Sequence, residues 1–260
     1  MKTATFRLAA LIVAAAAIES FVPSGVAQTG AGQTRPASPK TVDAKPVLTG
    51  FPFTNESLSY TVNWPSGLSL GEGHMSATSD ASGWRFELAL DAGIPGFAVK
   101  DLFRGTSGMD LCSGSFSKDS VHGSRKTNET VTIDRATATA VRHSNYGGND
   151  GGTTRITVPD CVHDALTYLY YARRELGQGR VPPAQQIVFG GTYTINLTYA
   201  GAETITVSDK HFLTDKMVCH VKGPASDIQF DAYFDRDPAR TPVAIRVPLS
   251  MGKFSLELVR

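Results

Sequence analysis

The stretch Tyr193-Thr194-Ile195-Asn196-Leu197-Thr198-Tyr199 alternates large apolar residues with small polar ones. Successive side chains of an extended strand point to opposite faces. Tyr193, Ile195, Leu197 and Tyr199 therefore share one face, and Thr194, Asn196 and Thr198 share the other. A helix of 3.6 residues per turn would scatter the same residues around its axis. A strand with one apolar and one polar face belongs to a sheet covered on one side, which is the antiparallel kind.

The same rhythm runs outward in both directions. Leu58, Tyr60, Val62 and Trp64 alternate with Ser59, Thr61 and Asn63, and Trp84, Phe86, Leu88 and Leu90 with Arg85, Glu87 and Ala89. Ile228, Phe230, Ala232 and Phe234 repeat the pattern, as do Phe254, Leu256 and Leu258. Shorter candidates are 68–70, 130–133, 137–142, 155–158, 187–189, 204–207 and 244–247. The glycine-rich run Gly147 to Gly152 and the pair Ala200-Gly201 fall between candidates and are read as hairpin turns. The expected fold is mainly β: a curved antiparallel sheet or partly open β-barrel of about a dozen strands, with one packed α-helix.

That helix is the segment Cys161 to Leu176. Ala165, Leu169, Ala172 and Leu176 recur at helical spacing, and Cys161 continues their face by one turn. Asp160 is the expected N-cap and Gly177 the left-handed C-terminal residue. A second short helical turn is read over 97–103.

The chain has 260 residues, 41% of them hydrophobic and only 19% charged. Lys plus Arg (25) nearly equals Asp plus Glu (24), which speaks against a nucleic-acid partner. Lys2 and Arg7 precede the apolar run Leu8 to Ile18, and Gly25-Val26-Ala27 supplies small residues at a cleavage site. This is the layout of a signal peptide over 1–27, so the protein is expected in the periplasm or secreted after cleavage near Ala27. Cleavage removes Lys2, Arg7 and Glu19 and leaves a formally neutral chain. Residues 28–46 read as a flexible Pro/Gly/Thr-rich linker, and 47–260 as a single β-rich domain. No later stretch is long and apolar enough for a transmembrane segment.

Export places Cys112, Cys161 and Cys219 in an oxidising compartment. Cys219 alternates with Met217 and Val221 and reads as a buried core thiol. Cys112 and Cys161 lie beside turn or helix-start signals and are taken as the disulfide. The competing reading makes Cys161 a reactive thiol at a helix N-terminus.

Catalytic and metal-binding signatures are missing: no GxSxG, HExxH, Walker-type loop or CxxC occurs beyond the signal segment. The six histidines show no ligand spacing, and no cofactor is expected. His163-Asp164 reads as a core or surface histidine beside a capping aspartate, not as a dyad. Asp231, Asp235 and Asp237, near Arg236 and Arg240, read as a polar strand end with surface ion pairs. The remaining signal is aromatic. Trp64, Trp84, Phe97, Phe103, Tyr168 and Tyr171 are the candidate lining of an apolar pocket under the curved sheet. A filled hydrophobic core is the competing outcome.

Five segments, taken in order, give the chain a resemblance. They are Phe51-Pro52-Phe53 leading to Glu56-Ser57-Leu58-Ser59-Tyr60 and Val62-Asn63-Trp64; Leu68-Ser69-Leu70-Gly71-Glu72-Gly73; and Pro159-Asp160-Cys161-Val162-His163-Asp164-Ala165-Leu166 with Tyr170-Tyr171-Ala172-Arg173. Val188-Phe189-Gly190-Gly191 with Tyr193 follows, then Tyr233-Phe234-Asp235-Arg236-Asp237 with Arg240-Thr241-Pro242 and Gly252 to Leu258. In these it resembles the bacterial family called domain of unknown function 3108. The resemblance implies an exported envelope protein with one β-rich domain, and it supplies no catalytic residue. The expected function is non-enzymatic binding of an apolar ligand such as lipid. The alternatives are a structural or assembly factor acting through an envelope protein partner, and a hydrolase with a site assembled from distant residues.

Overall fold

The computed structural model describes residues 55–94, 96–224, 226–249 and 252–259. The expected signal peptide, the linker and the first residues of the domain lie outside these. The strands are β1 (Asn55–Asn63), β2 (Ser69–Asp80), β3 (Gly83–Ile94), β4 (Phe97–Ser107), β5 (Ser113–His122), β6 (Arg125–Asp134), β7 (Thr139–Tyr146), β8 (Asn149–Thr157) and the two-residue β9 (His163–Asp164). The helix α1 (Ala165–Gly177) comes next, then β10 (Gln185–Val188), β11 (Thr192–Val207), β12 (Lys210–Gly223), β13 (Ser226–Asp235), β14 (Pro242–Leu249) and β15 (Gly252–Val259).

These fifteen strands form one sheet in the order 8-7-6-5-4-3-2-1-15-14-13-12-11-10-9. Two meanders, β1 to β8 and β10 to β15, are joined where β1 pairs antiparallel with β15, from Ser59 opposite Val259 to Asn63 opposite Ser255. The pairing of β9 with β10 is parallel, with His163 opposite Ile187. Parallel neighbours need a crossover, and α1 supplies it.

The sheet curls around that helix. On one side Tyr170 of α1 stacks on Phe86 of β3, with ring centroids 4.5 Å apart. On the other, Tyr168, Leu169 and Ala172 face Ile195, Cys219 and Phe234 of β11, β12 and β13. Helix residues are buried all round, including Leu166, Tyr168, Tyr170, Ala172, Arg173 and Leu176. The concave face is thus a filled core with the helix as its filling.

The structure departs from the sequence reading at the helix. The N-cap is Asp164, whose carboxylate accepts from the Leu166 and Thr167 amides; Asp160 lies upstream of the helix. The competition is settled by β9: His163 and Asp164 are held extended by pairing with β10, so helical geometry begins only afterwards. Cys161 consequently does not continue the helical face; it is exposed and precedes β9. At the other end Gln178 is the C-cap, and Gly179 (φ 73°), not Gly177, takes the left-handed conformation.

Residues 97–103 are strand, with Val99, Asp101 and Phe103 turned inward. Ala200-Gly201 is no turn: it is a bulge within the sixteen-residue β11, where the register with β12 shifts and Gly201 has φ 116°. The turn itself is Ser208-Asp209, both at positive φ. Gly147-Gly148 forms the β7–β8 hairpin turn, also with both φ positive, and β8 starts at Asn149.

Cys112 and Cys161 form a disulfide, and Cys219 is a buried free thiol. The bridge ties the β4–β5 turn to the segment before β9. Close by, the Ser113 amide donates to the Val162 carbonyl.

Candidate functional site

Between α1 and the inner face of β10 to β14 lies an apolar groove with an enclosed volume of about 60 Å³. Strand alternation turns Ile195, Leu197, Val221 and Phe234 toward it, and α1 contributes Ala165, Leu169 and Ala172. Among the described residues no charged side chain lines it; Tyr168 and Cys219 are the lining residues that carry a polar side-chain atom. Ala165, Leu169 and Phe230 are partly exposed and form its mouth. The volume is several times the ~10–15 Å³ that a water needs and under half the ~150 Å³ of a cavity that holds benzene. It fits the end of a chain, not a whole lipid. Burial pushes the Cys219 thiol up to about 12, so it stays protonated and is no nucleophile.

Next to Tyr168 stands a group of buried polar atoms that make no close hydrogen bond among the described residues. They are both ring nitrogens of His163, the Tyr168 hydroxyl and the Gln185 amide nitrogen. His163 stacks on Tyr171 at 4.5 Å and meets Tyr168 edge-on at 6.2 Å. The Gln185 side chain interacts with both His163 and Tyr168, at longer range than a close hydrogen bond. Burial lowers His163 to about 4, so its ring is neutral at pH 7.

Of the six aromatic candidates, the structure brings Tyr168 and Tyr171 together, 6.1 Å apart, and only Tyr168 reaches the groove. Trp84 stacks on Phe86, and Phe103 packs against Phe116 and Phe189. Trp64 meets Phe254 edge-on, and the ring of Phe97 lies against Gly123. The sequence reading missed His163 and Gln185 as members of one group. Nothing in a single sequence says that residues 163 and 185 are neighbours across a parallel pair.

Two other places hold titratable groups. On the inner wall opposite the groove, Lys118 is buried with its Nζ 5.9 Å from the Phe103 ring centre and 5.4 Å from that of Phe189. Asp101 is paired there with His122 at 3.0 Å, and Glu129 with Arg142 at 2.8 Å. On the outer face of β1 to β5 a shallow trough of about 650 Å³ contains His74, with Ser57 at 3.3 Å. Among the described residues no carboxylate bonds that imidazole, so nothing orients it to activate Ser57. The aspartates near the end of β13 are engaged in surface contacts, as with Asp231 and Lys216, or in closing a turn, as with Asp237 and Thr241.

The profile of the family described as "Protein of unknown function (DUF3108)" matches residues 59–259. The chain belongs to this family. No curated protein matches it. Among solved structures, a β-barrel-like protein of domain of unknown function DUF1849 from Brucella abortus is similar at a TM-score of 0.59 and 5% identity, covering 81% of this chain and 98% of that one. A Bacteroides fragilis protein with a YmcC-like fold gives a TM-score of 0.31 at 8% identity, over 80% of this chain and 97% of that one; this likeness carries no argument. The first likeness shows the β-barrel-like fold and nothing about activity.

In this DUF3108 chain, three of the segments that carry the family resemblance meet at one buried network. Arg173 donates to both carboxylate oxygens of Glu56 at 2.7 Å, and Tyr170 donates to the same carboxylate at 2.9 Å. The Arg173 Nε donates to the Ala239 and Arg240 carbonyls, and Tyr60 donates to that of Pro242. The network bolts α1 to β1 and to the β13–β14 turn. Among the described residues no helix is long and apolar enough to cross a membrane.

Proposed function

We propose that this protein is a non-enzymatic component of the bacterial cell envelope, exported to the periplasm or beyond, that binds a lipid by taking the end of an apolar chain into the groove beside α1. The observation that carries the reading is the lining of the groove: apolar residues throughout, no charge, and a mouth of partly exposed Ala165, Leu169 and Phe230. Each methylene moved from water into such a site gains about 0.8 kcal/mol. The signal-peptide layout of residues 1–27 and the disulfide support an exported protein. Because α1 fills the concave face, the ligand enters beside the helix and leaves most of its length outside.

Native mass spectrometry of the protein purified from its own envelope tests this. The expected species is the chain plus one lipid, releasable into organic solvent. A bare chain with no extractable lipid would overturn the reading.

One observation favours a second reading, a structural or assembly factor. Strand β8 is a nine-residue strand, exposed at all but one position and, among the described residues, at the edge of the sheet with an unpaired ladder side that another chain can extend. A stable cross-linked partner lost on introducing Pro at Thr154, with no lipid bound, would support it over the first.

A further inference from the structure

Buried polar groups in folded proteins are nearly always hydrogen-bonded, and leaving one unpaired costs about 1–3 kcal/mol. Beside the groove, among the described residues, four such atoms make no close hydrogen bond: His163 Nδ1 and Nε2, Tyr168 Oη and Gln185 Nε2; the Gln185 side chain reaches the imidazole and the hydroxyl only at longer range. His163 and Tyr168 are 3% and 4% exposed, so bulk solvent does not reach them. Tyr168 belongs to both places: it lines the groove and adjoins Gln185. Through Tyr168, the groove therefore adjoins a set of hydrogen-bonding atoms with no close partner among the described residues; His163 and Gln185 are not themselves part of its lining.

From this juxtaposition we infer that the His163–Tyr168–Gln185 group is a recognition station for an uncharged oxygen of the lipid, an ester carbonyl or a hydroxyl, whose apolar chain occupies the groove. The inference rests on the groove reading proposed above and adds the chemistry of the polar part. The Tyr168 hydroxyl and the Gln185 amide are donors suited to a carbonyl, and an imidazole nitrogen can accept from a hydroxyl. The charge class follows from what lines the site. Among the described residues no cation lines the groove, so a carboxylate or phosphate brought there would lose its hydration without a counter-ion. Arg174 lies 5.2 Å from the Tyr171 ring that stacks on His163, and it is engaged with Glu175 and the Asp110 carbonyl. A neutral histidine supports the same class. An ester or alcohol can leave water for this station because each of its hydrogen bonds is replaced; an anion cannot.

Two soluble probes with the same chain separate the possibilities by titration calorimetry at pH 7.5: monooctanoylglycerol, which is uncharged, and octanoate, which is an anion. Wild-type protein is expected to bind monooctanoylglycerol at least tenfold more tightly than octanoate. Tyr168→Phe and, separately, Gln185→Leu should each weaken monooctanoylglycerol about fivefold, as loss of one hydrogen bond requires, while changing octanoate little. Ala165→Phe, at the partly exposed mouth, should abolish binding of both, with circular dichroism confirming a folded chain. If Ala165→Phe abolishes monooctanoylglycerol binding but Tyr168→Phe and Gln185→Leu leave it intact, the groove stands and the station falls. Equal or tighter binding of octanoate also overturns the station. Binding of neither probe to wild-type protein overturns the groove reading and the station together.

Discussion

Arg173 has no exposed side-chain surface, yet it keeps its charge because Glu56 meets it with two hydrogen bonds of 2.7 Å. Burial pulls its pKa down, and the bonds to Glu56 outweigh that pull. A pair of this kind is costly to break from one side, since the partner is left buried and uncompensated. Arg173→Met is expected to lower stability by about 3–5 kcal/mol, and the double variant Glu56→Leu/Arg173→Met to recover most of the loss, as read from urea midpoints. A double variant as unstable as the single one would contradict this account of the pair. His163 and Asp164 give a second test at this scale. Burial lowers His163 from 6.5 to about 4, so its contribution to stability is fully present above 6.5 and falls away as pH drops toward 4. Burial raises Asp164 from 3.8 to about 6 against the bonds from Ser113, Thr167 and Leu166, so its contribution is present below 3.8 and falls away as pH rises toward 6. The two slopes oppose each other between about pH 4 and 6. Asp164→Asn should leave a stability that climbs with pH across that window, and His163→Gln one that declines. Each slope amounts to about 3 kcal/mol at most. Parallel curves for wild type and both variants would refute the assignment.

At the scale of elements, what the sequence reveals depends on how apolar each strand is. β11 and β13 carry large apolar residues at alternate positions, and Ile195, Leu197, Ala232 and Phe234 are buried as read; Tyr199, read with the apolar face, is exposed, and Tyr233, read with the polar face, is buried against Lys216 and Arg246. β5, Ser113–His122, is invisible in the sequence: its inward residues are Phe116, Lys118 and Ser120, so no apolar alternation exists to detect. The position of Lys118 is explained by the Phe103 and Phe189 rings, and Phe189 comes from the far half of the chain. The helix is legible as an element, but its start is not, because a parallel partner 24 residues downstream holds His163 extended. Gly201 signals a break in regular structure correctly, and only the pairing with β12 tells a bulge from a turn. Candidate site residues suffer in the same way: an aromatic inventory identifies core material, and the groove is built mainly of Ile, Leu, Val and Ala, which any core contains. The disulfide belongs to this scale too. It closes a loop with a sequence separation of 49, for which loop-closure entropy gives about 4 kcal/mol. Cys112→Ser/Cys161→Ser should lose up to that amount, and thiol counting on denatured, unreduced wild type should find one thiol, Cys219. Three thiols would contradict the bridge.

For the whole molecule, the decisive arrangement is a fifteen-strand sheet that curls upon a helix from its own chain. β1 and β15 zip the two meanders together, so the terminal strands of the described chain stabilise the centre of the sheet. The interior is thereby closed to a large ligand, and the apolar groove opens beside α1. This separates the molecule from carriers that hold a lipid in an open concave cavity, and it makes a local claim about where contact occurs. Methyl-resolved NMR with a spin-labelled acyl chain tests that claim directly. Methyl signals of Ile187, Ile195, Leu197, Val221 and Ile245 should broaden selectively, while those of Leu102 and Val121 in the outer trough remain sharp. Broadening confined to the outer trough, or none at all, would contradict it.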